Sequence, residues 1–364
     1  MKVRDLVSEL EKYAPPSLQE SYDNAGLNVG FPDLEIYGVL ICIDVVPEVI
    51  DEAIDKSCNM IVAHHPLIFP NIRKITGSNI IEKSIVKAIQ NNISIFCGHT
   101  NFDKTQNGVS MKMCEKLGLK KCSVIDAESN LIRKIVVYAP EQHAETVRNA
   151  MFSAGAGCIG DYNECSFNMN GIGTFRASET CNPYVGKIGE RHYENETRIE
   201  VVCPSYLQSK IISAMLKVHP YEEPAFDIYQ IENKWEQIGL GAIGELPDEI
   251  TENELLETVK QTFNVGNIRH SEKIGRKIRR IAVCGGSGAS YIRRAMALNA
   301  DAYITADIKY HDWFLAERKI LILDIGHYES EQFTKDIFYD IIAKNDKGFK
   351  ICLSDINTNP INNY

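Results

Sequence analysis

Short apolar runs that carry no charge recur along the chain, and three of them end at histidines or carboxylates. These are residues 60–63 before His64, residues 93–97 before Gly98-His99, and residues 320–323 before Asp324. Such a run is typical of a strand that is buried on both faces of a parallel sheet. Because the carboxyl ends of parallel strands meet at the edge where α/β proteins bind ligands, we expect these polar residues to converge.

Segments with the apolar spacing of amphipathic helices separate the strands, for example near residues 79–90 and 107–117. Further helices are expected over residues 311–318 and from about residue 327 to 343. This alternation predicts an α/β fold with a mostly parallel sheet flanked by helices. After about residue 128 the order changes to β-α-β-β-α-β, which is the ferredoxin-like arrangement, and the alternation resumes from Gly241. We therefore predict a discontinuous α/β domain, residues 1–128 plus 238–364, and an inserted α+β domain, residues 129–237.

Charge and cysteine content narrow the classes of function. The net charge of −10 disfavours nucleic-acid binding, which needs a basic face, and the basic stretch 276–280 is more typical of a solvated strand flank. The eleven cysteines include no C-x-x-C pair, which argues against a disulfide framework and against a zinc ribbon. We expect a cytoplasmic protein, because the N-terminus lacks the apolar core of a signal peptide and no apolar stretch is as long as a membrane span.

His64 and His65 are adjacent at the end of the first run. Neighbours within a strand point to opposite faces, but beyond the strand end, with Pro66 fixing the turn, both imidazoles can face one cleft. This arrangement suits two metal ions better than one. The alternative is that one histidine caps a backbone carbonyl and the other is solvated.

The other strand ends carry matching ligand types. His327 and Glu331 are spaced i, i+4 and share one face of a helical turn. The predicted ligands of two divalent ions per chain are His64, His65, Asp103, His327 and Glu331. Mixed histidine and carboxylate ligation suits Zn, Mn, Fe, Co or Ni. Because five ligands are few for two ions, some ligands must be shared, and a carboxylate such as Glu331 can bind both ions. Ions about 3.5–4 Å apart can activate water between them.

Further polar residues follow neighbouring strands. The loop of Gly285, Gly286 and Ser287 could cradle an anion of the substrate with its amides, or form only a tight turn. Lys309 could contact the substrate, and His311 could transfer protons, as could His99. For His99 the alternative is an imidazole that the backbone satisfies.

Two aspartates near these residues could act indirectly. Asp307 could cap the following helix, and Asp23 could orient a ligand histidine.

Five motifs in this order resemble the Nif-three-like dinuclear-metal proteins, often named GTP cyclohydrolase 1 type 2 homologs. They are Asp23-Asn24-x-Gly26-Leu27, His64-His65-Pro66, His99-Thr100-x-x-Asp103, Asp307-x-x-x-His311 and Gly326-His327-x-x-Ser330-Glu331. The segment from His219 to Pro224 resembles the PII/CutA-like insert of the longer bacterial members. One departure is Ala306, where members commonly carry glycine.

The resemblance implies a dinuclear site formed by the same five ligands and a toroidal homohexamer. The first functional hypothesis is a metal-dependent hydrolase of a nucleotide or related small molecule. The alternatives are a regulatory ring protein that binds metal without turnover, and a metal-handling protein. Polar groups around the predicted ligands favour chemistry, and the absence of a Met- or Cys-rich arm disfavours metal exchange.

Overall fold

The computed structural model describes residues 1–69, 72–345 and 348–362. The chain divides into two compact units, Met1–Ala127 with Glu236–Tyr364, and Glu128–Trp235. The first unit is therefore discontinuous in sequence. None of the helices in the described ranges combines the length and the apolar character that a membrane span requires.

The first unit begins with five helices and five strands. The helices are α1 (Val3–Tyr13), α2 (Pro47–Asp55), α3 (Ile80–Gln90), α4 (Thr100–Lys104) and α5 (Val109–Lys116), with a 3-10 helix at Pro16–Leu18. The strands are β1 (Gly26–Val29), β2 (Gly38–Cys42), β3 (Met60–Ala63), β4 (Ser94–Cys97) and β5 (Lys120–Glu128).

The second unit has the predicted β-α-β-β-α-β order. Its elements are β6 (Ile132–Pro140), α6 (Ala144–Ser153), β7 (Ser166–Arg176), β8 (Arg191–Pro204), α7 (Gln208–Val218) and β9 (Phe226–Gln230), with 3-10 helices at Glu141–His143 and Ser205–Leu207. The four strands form one antiparallel sheet in the order β7-β8-β6-β9. Apolar residues of β6 and β8, such as Ile135 and Ile199, pack against α6 and α7 and give this unit its own core.

The chain then returns to the first unit. The strands are β10 (Trp235–Ile250), β11 (Arg269–His270), β12 (Ile278–Ser287), β13 (Ala302–Ala306), β14 (Leu321–Asp324) and β15 (Lys350–Leu353). The helices are α8 (Glu252–Thr262), α9 (Ile292–Ala297), α10 (His327–Glu331) and α11 (Thr334–Lys344), with 3-10 helices at Ala289–Tyr291 and Tyr310–Ala316.

These strands form two sheets, where the sequence indicated one. The first sheet has the order β1-β4-β3-β2-β15, and the second has the order β11-β14-β13-β12-β10-β5. Central strands are parallel in both sheets, and the flanking β1, β10 and β11 are antiparallel to their neighbours. Each sheet packs between two apolar clusters of its own, so the predicted α/β class is confirmed, with two sheets whose central strands are parallel.

The register of each sheet aligns the strand ends that carry polar residues. In the first sheet Cys42 pairs with Ala63, and Ala63 pairs with Cys97. In the second sheet Thr305 pairs with Asp324. The residues that directly follow β2, β3 and β4 therefore share one edge, and those that follow β13 and β14 share another.

Two predicted helices differ from the observed ones. The helix expected from residue 327 to 343 is divided into α10 and α11, and the hydroxyl of Thr334 donates to the carbonyl of Glu331 at 2.7 Å at this break. Such local side-chain bonds compete with the helical backbone pattern. The helix expected over 311–318 is the 3-10 helix Tyr310–Ala316.

Candidate metal centre

His64 and His65 form the turn that follows β3. The backbone N–H groups of both residues donate to the carbonyl of Ile43, at 3.1 and 3.0 Å, and so tie this turn to the end of β2. The centroids of the two imidazole rings lie 4.9 Å apart. Both rings therefore face one site, which is possible because they lie beyond the strand end.

The buried His64 imidazole has one nitrogen bonded and one unpaired. Nδ1 donates to the carbonyl of Gly98 at 2.8 Å, which leaves Nε2 as the nitrogen that can offer a lone pair to a ligand. This Nε2 lies 3.7 Å from both Asp103 Oδ1 and Glu331 Oε1. Within the described ranges, neither His64 Nε2 nor Asp103 Oδ1 has a hydrogen-bond partner. Because buried acceptors without a partner are costly, this arrangement fits a cation bound between them.

His65 and His327 converge on the other oxygen of Glu331. Their Nε2 atoms lie 2.9 and 3.1 Å from Glu331 Oε2. Burial alone would lower the pKa of both histidines, but each donates to two carboxylates. The bonds to Asp44 and Glu331 raise the pKa of His65 to about 10, and those to Asp307 and Glu331 raise the pKa of His327 to about 11.

His64, His65, Asp103, His327 and Glu331 are called the cluster below. Its two carboxylates differ in their preference for a proton. Burial raises the pKa of Asp103, which His64 counteracts and Glu331 reinforces. Burial also acts to raise the pKa of Glu331, but His64, His327 and His65 outweigh it and hold that pKa well below its usual range. Glu331 is therefore the ionised centre of the cluster, and it offers one oxygen to each side.

His99 lies at the border of the cluster. Its ring centroid is 5.4 Å from that of His64 and 5.5 Å from that of His65. Nδ1 is 2.7 Å from Asp23 Oδ1. Burial alone would raise the pKa of Asp23, but hydrogen bonds from His99 and Thr100 lower it to about 2. Asp23 therefore fixes the orientation of His99, whereas the sequence indicated that it could orient a metal ligand.

All four imidazoles are held in the same manner. Each Nδ1 bonds to an oxygen outside the cluster, namely that of Gly98 for His64, Asp44 for His65, Asp23 for His99 and Asp307 for His327. This leaves each Nε2 as the nitrogen available toward the cluster. Histidines that bind metal are held by outer hydrogen bonds of this kind.

The five predicted metal ligands are thus brought together. His64, His65 and Glu331 offer ligand atoms that all lie within 4.8 Å of one another. Asp103 joins them through His64, and His327 joins them through Glu331. The donor set of imidazole nitrogens and carboxylate oxygens fits a first-row divalent ion.

The glycine-rich loop does not have the free amides that an anion cradle requires. The amides of Gly285, Gly286 and Gly288 donate to the hydroxyls of Ser110, Ser330 and Thr305 at 3.4, 2.9 and 3.0 Å. Ser287 belongs to β12 and pairs with Ala306 of β13. The tight-turn alternative accounts for these bonds.

Gly286 has a different part in the site. Its φ is +60°, and a Cβ there would lie 2.3 Å from Glu331 Oε1. Glycine at this position therefore makes room for the carboxylate of Glu331.

Lys309 and His311 are not among the residues that come together around Glu331. Both side chains are exposed. The His311 ring lies 5.2 Å from Tyr310 and stacks on Phe314 at 6.4 Å. In the described part of the chain, no contact joins either residue to the cluster. The predicted catalytic role of His311 and substrate role of Lys309 therefore lack structural support, because the 3-10 helix turns this segment outward.

Sequence reasoning did not identify Asp44, which holds His65. Asp44 follows β2 by two residues and so stands at a strand end, like the predicted ligands. The rule that identified His64 would have identified it too. Asp307 was considered as a helix cap, but its carboxylate holds His327 Nδ1 at 2.6 Å from a left-handed backbone conformation (φ 56°).

A cleft of about 930 Å³ is lined in part by Asp23, the residue that holds His99. Its lining includes Tyr22, Asp23, Phe69 and Arg73. The Phe69 ring is 6.1 Å from His99 and 6.3 Å from Tyr22, and both Phe69 and Tyr22 are largely exposed. The cleft thus joins aromatic and cationic side chains to the border of the cluster.

Comparison with known proteins gives a consistent result over the whole chain. The sequence profile of the Duf34/NIF3 (NGG1p interacting factor 3) family matches residues 1–360. A relative named GTP cyclohydrolase 1 type 2 homolog in Bacillus subtilis is 34% identical over 362 residues, which is 98% of this chain and 97% of the relative. A relative of the same name in Halalkalibacterium halodurans is 38% identical over 307 residues, 84% of this chain and 82% of the relative.

Solved structures agree with the sequence comparison. The crystal structure of a Bacillus cereus protein related to NIF3 superposes with a TM-score of 0.88 at 36% identity, and covers 100% of this chain and 99% of that one. Staphylococcus aureus protein SA1388 superposes with a TM-score of 0.79 at 30% identity and the same coverage.

Proposed function

The chain belongs to the DUF34/NIF3 family, and we propose that it binds two divalent metal ions at the cluster and hydrolyses a nucleotide or a related small molecule. The observation that carries the proposal is the pair of buried, unpartnered atoms His64 Nε2 and Asp103 Oδ1, 3.7 Å apart. A protein interior rarely retains such a pair unless something binds there.

The division of contacts at Glu331 supports two ions. Oε1 faces His64 on the side of Asp103, and Oε2 faces His65 and His327. Each side therefore offers three donors, with Glu331 shared. His64, Asp103 and Glu331 would hold one ion, and His65, His327 and Glu331 the other. The identity of the ions, among Zn, Mn, Fe, Co and Ni, rests on the donor types alone.

The chain's own residues would divide the work of hydrolysis. The bound ions would supply an activated water at neutral pH. Asp44 and Asp307 keep the Nε2 atoms of His65 and His327 directed toward Glu331, where they would hold an ion, and Asp23 orients the ring of His99. His99 is the proposed proton-transfer group, because its ring lies close to His64 and His65 of the cluster and to Phe69 of the cleft lining.

The cleft supports a substrate with an aromatic ring and a negative charge. The exposed rings of Tyr22 and Phe69 can stack on a base, and Arg73 can pair with a phosphate. These are the features of a nucleotide. The proposed substrate site is therefore this cleft instead of the glycine-rich loop.

The test measures metal content and hydrolysis on the same preparation. The protein is loaded with each candidate ion, its ions per chain are counted by elemental analysis, and it is screened against nucleotides and phosphoesters. We expect two ions per chain and metal-dependent turnover that His99→Ala abolishes without loss of metal. Full loading with no turnover across the panel would instead establish a metal-binding protein without hydrolase activity.

Assembly and location are further parts of this proposal. Family resemblance supports a homohexameric ring, and closed symmetric interfaces are common in oligomers. Light scattering at micromolar concentration should give six times the monomer mass, and a monomer mass would reject the ring. The free cysteines, several of them buried, support a reducing, cytoplasmic environment.

A further inference from the structure

The second unit contains an open cavity that the metal chemistry does not use. Its volume is about 390 Å³, and all its lining residues lie between residues 138 and 225. The walls include Tyr138, Phe175, Tyr184, Glu196 and Tyr221. The cavity thus combines four aromatic rings with a carboxylate inside one folded unit.

The segment from His219 to Pro224 contributes part of the wall of this cavity. His219 is buried, its Nε2 donates to the carbonyl of Tyr138 at 3.0 Å, and its Nδ1 accepts from the amide of Tyr221 at 3.1 Å. Burial lowers the pKa of His219, which keeps the ring neutral and able to make both bonds. This histidine therefore fixes Tyr221 against β6 and has no nitrogen left for a ligand.

Glu196 carries the negative charge into the cavity. Its Oε1 accepts a hydrogen bond from the Tyr221 hydroxyl at 2.9 Å. Its Oε2 lies over Gly173, where a Cβ would be only 2.0 Å from that oxygen, so the strand makes room for the carboxylate. In the described ranges no lysine or arginine forms an ion pair with Glu196. A carboxylate held in this way has one oxygen that can accept from a ligand.

The aromatic rings surround the same space. The Tyr221 ring is 6.0 Å from Phe175 and 6.4 Å from Tyr184, with interplanar angles of 60° and 51°. Tilted rings offer their faces to a common centre, and the faces of aromatic rings attract cations. The charged residues of the lining are three glutamates, 196, 222 and 223, and one arginine, 176. The wall therefore favours positive charge both by its rings and by its net charge.

We propose that this cavity binds an organic ammonium ion, with the cationic head among Phe175, Tyr184 and Tyr221 and an N–H or the positive charge directed at Glu196. A bare metal ion fits the wall less well. It needs several oxygen or nitrogen ligands, whereas His219 uses both ring nitrogens internally and Glu222 accepts the amide of Asn182 at 3.0 Å. The second unit would then be a ligand-binding module with a site of its own.

The test uses the full chain and three probe cations, tetramethylammonium, choline and putrescine. Binding is followed by calorimetry and by the proton resonances of the probe. We expect saturable binding of at least one probe at one site per chain, with an upfield shift of its N-methyl or N-methylene protons because they lie over ring faces. Glu196→Gln should weaken binding by about tenfold or more, since it removes the charge and keeps the shape.

A matched control is Glu200→Gln, which lies on the same strand and pairs with Lys134 at 2.9 Å outside the cavity wall. It should bind the probe as the parent chain does. Tyr184→Ala provides a second cavity variant in case Glu196→Gln fails to fold, and it should also weaken binding. The proposal is overturned if no probe binds saturably, if both glutamate variants bind equally, or if only Zn²⁺ or Mg²⁺ competes for a site that depends on Glu196.

Discussion

The two sides of Glu331 are built from similar residues but differ in how they are satisfied. On the Oε2 side, His65 and His327 donate directly to the carboxylate and are each held by a second carboxylate. On the Oε1 side, His64 Nε2 and Asp103 Oδ1 face each other at 3.7 Å without a hydrogen bond. One side is thus an ion-paired network, and the other leaves two buried atoms without a hydrogen-bond partner.

This difference distinguishes interactions that stabilise the fold, at Oε2, from groups whose arrangement favours binding a ligand, at Oε1. Removing one partner of a hydrogen-bonded buried ion pair strongly destabilises the folded protein, because it leaves a buried charge without compensation. A pair of unpartnered acceptors costs stability in the native state, and proteins retain such groups where they bind something. The Oε1 side therefore gives the clearer functional signal, although the Oε2 side has the shorter distances.

The largest expected effect comes from removing the charge that both sides share. Glu331→Gln should reduce bound metal by at least one ion per chain and abolish hydrolysis, because the amide offers one oxygen and no negative charge. Elemental analysis of metal-loaded protein measures the change. Glu329→Gln in the same helix α10 is the matched control and should keep both ions. Two ions per chain in Glu331→Gln would exclude this carboxylate as the shared ligand.

In the metal-free protein, variants on the two sides of Glu331 should change the free energy of unfolding in opposite directions. His327→Ala should lower the free energy of unfolding by about 2 kcal/mol, because Glu331 loses a donor in a buried network. Asp103→Asn should raise that free energy by up to about 1 kcal/mol, because an amide can donate toward His64 Nε2 and no longer repels Glu331. Denaturant unfolding after chelation measures both values.

With metal present the same two variants should behave alike. Each should lose one ion per chain, since each removes a ligand from one side only. If Asp103→Asn destabilises the metal-free protein as much as His327→Ala does, the contrast between the two sides is wrong.

A smaller effect is expected from a residue that holds a ligand without touching the ions. Asp44→Asn should weaken metal binding on the Oε2 side by about tenfold to a hundredfold, because His65 loses the carboxylate that orients its ring. Competition with a coloured chelator measures the affinity. Asp51→Asn on the neighbouring helix α2 removes a surface carboxylate paired with Lys87 and should leave the affinity unchanged.

Strand ends were the part of the site that the sequence could predict. His64, His65 and Asp103 follow uncharged apolar runs, and residues in that position must lie at one edge of a parallel sheet. The approach of His327 and Glu331 to these residues required the polar strand ends of two different sheets to come together. Local periodicity carries no information on that packing, which explains why one sheet was expected.

The predicted substrate residues that the structure leaves apart from the cluster have a physical explanation as well. Gly285 to Ser287 match the composition of an anion-binding loop. The amides of Gly285 and Gly286, however, already donate hydrogen bonds to side-chain hydroxyls from other segments. His311 follows a strand, as the predicted metal ligands do, yet the 3-10 helix that starts at Tyr310 leaves it exposed. Composition indicates which groups are present, and only long-range contacts determine which of them are free.

Deletion of the second unit should have no effect on the metal centre. Every cluster residue and every outer partner of a ligand lies in residues 1–127 or 236–364, and the second unit has its own core and its own four-stranded sheet. Replacing residues 129–234 with a short glycine-serine linker should therefore leave two ions per chain, while the ammonium probes no longer bind. A folded deletion variant that loses metal would show that the second unit supports the centre, and retained probe binding would place the ammonium site elsewhere.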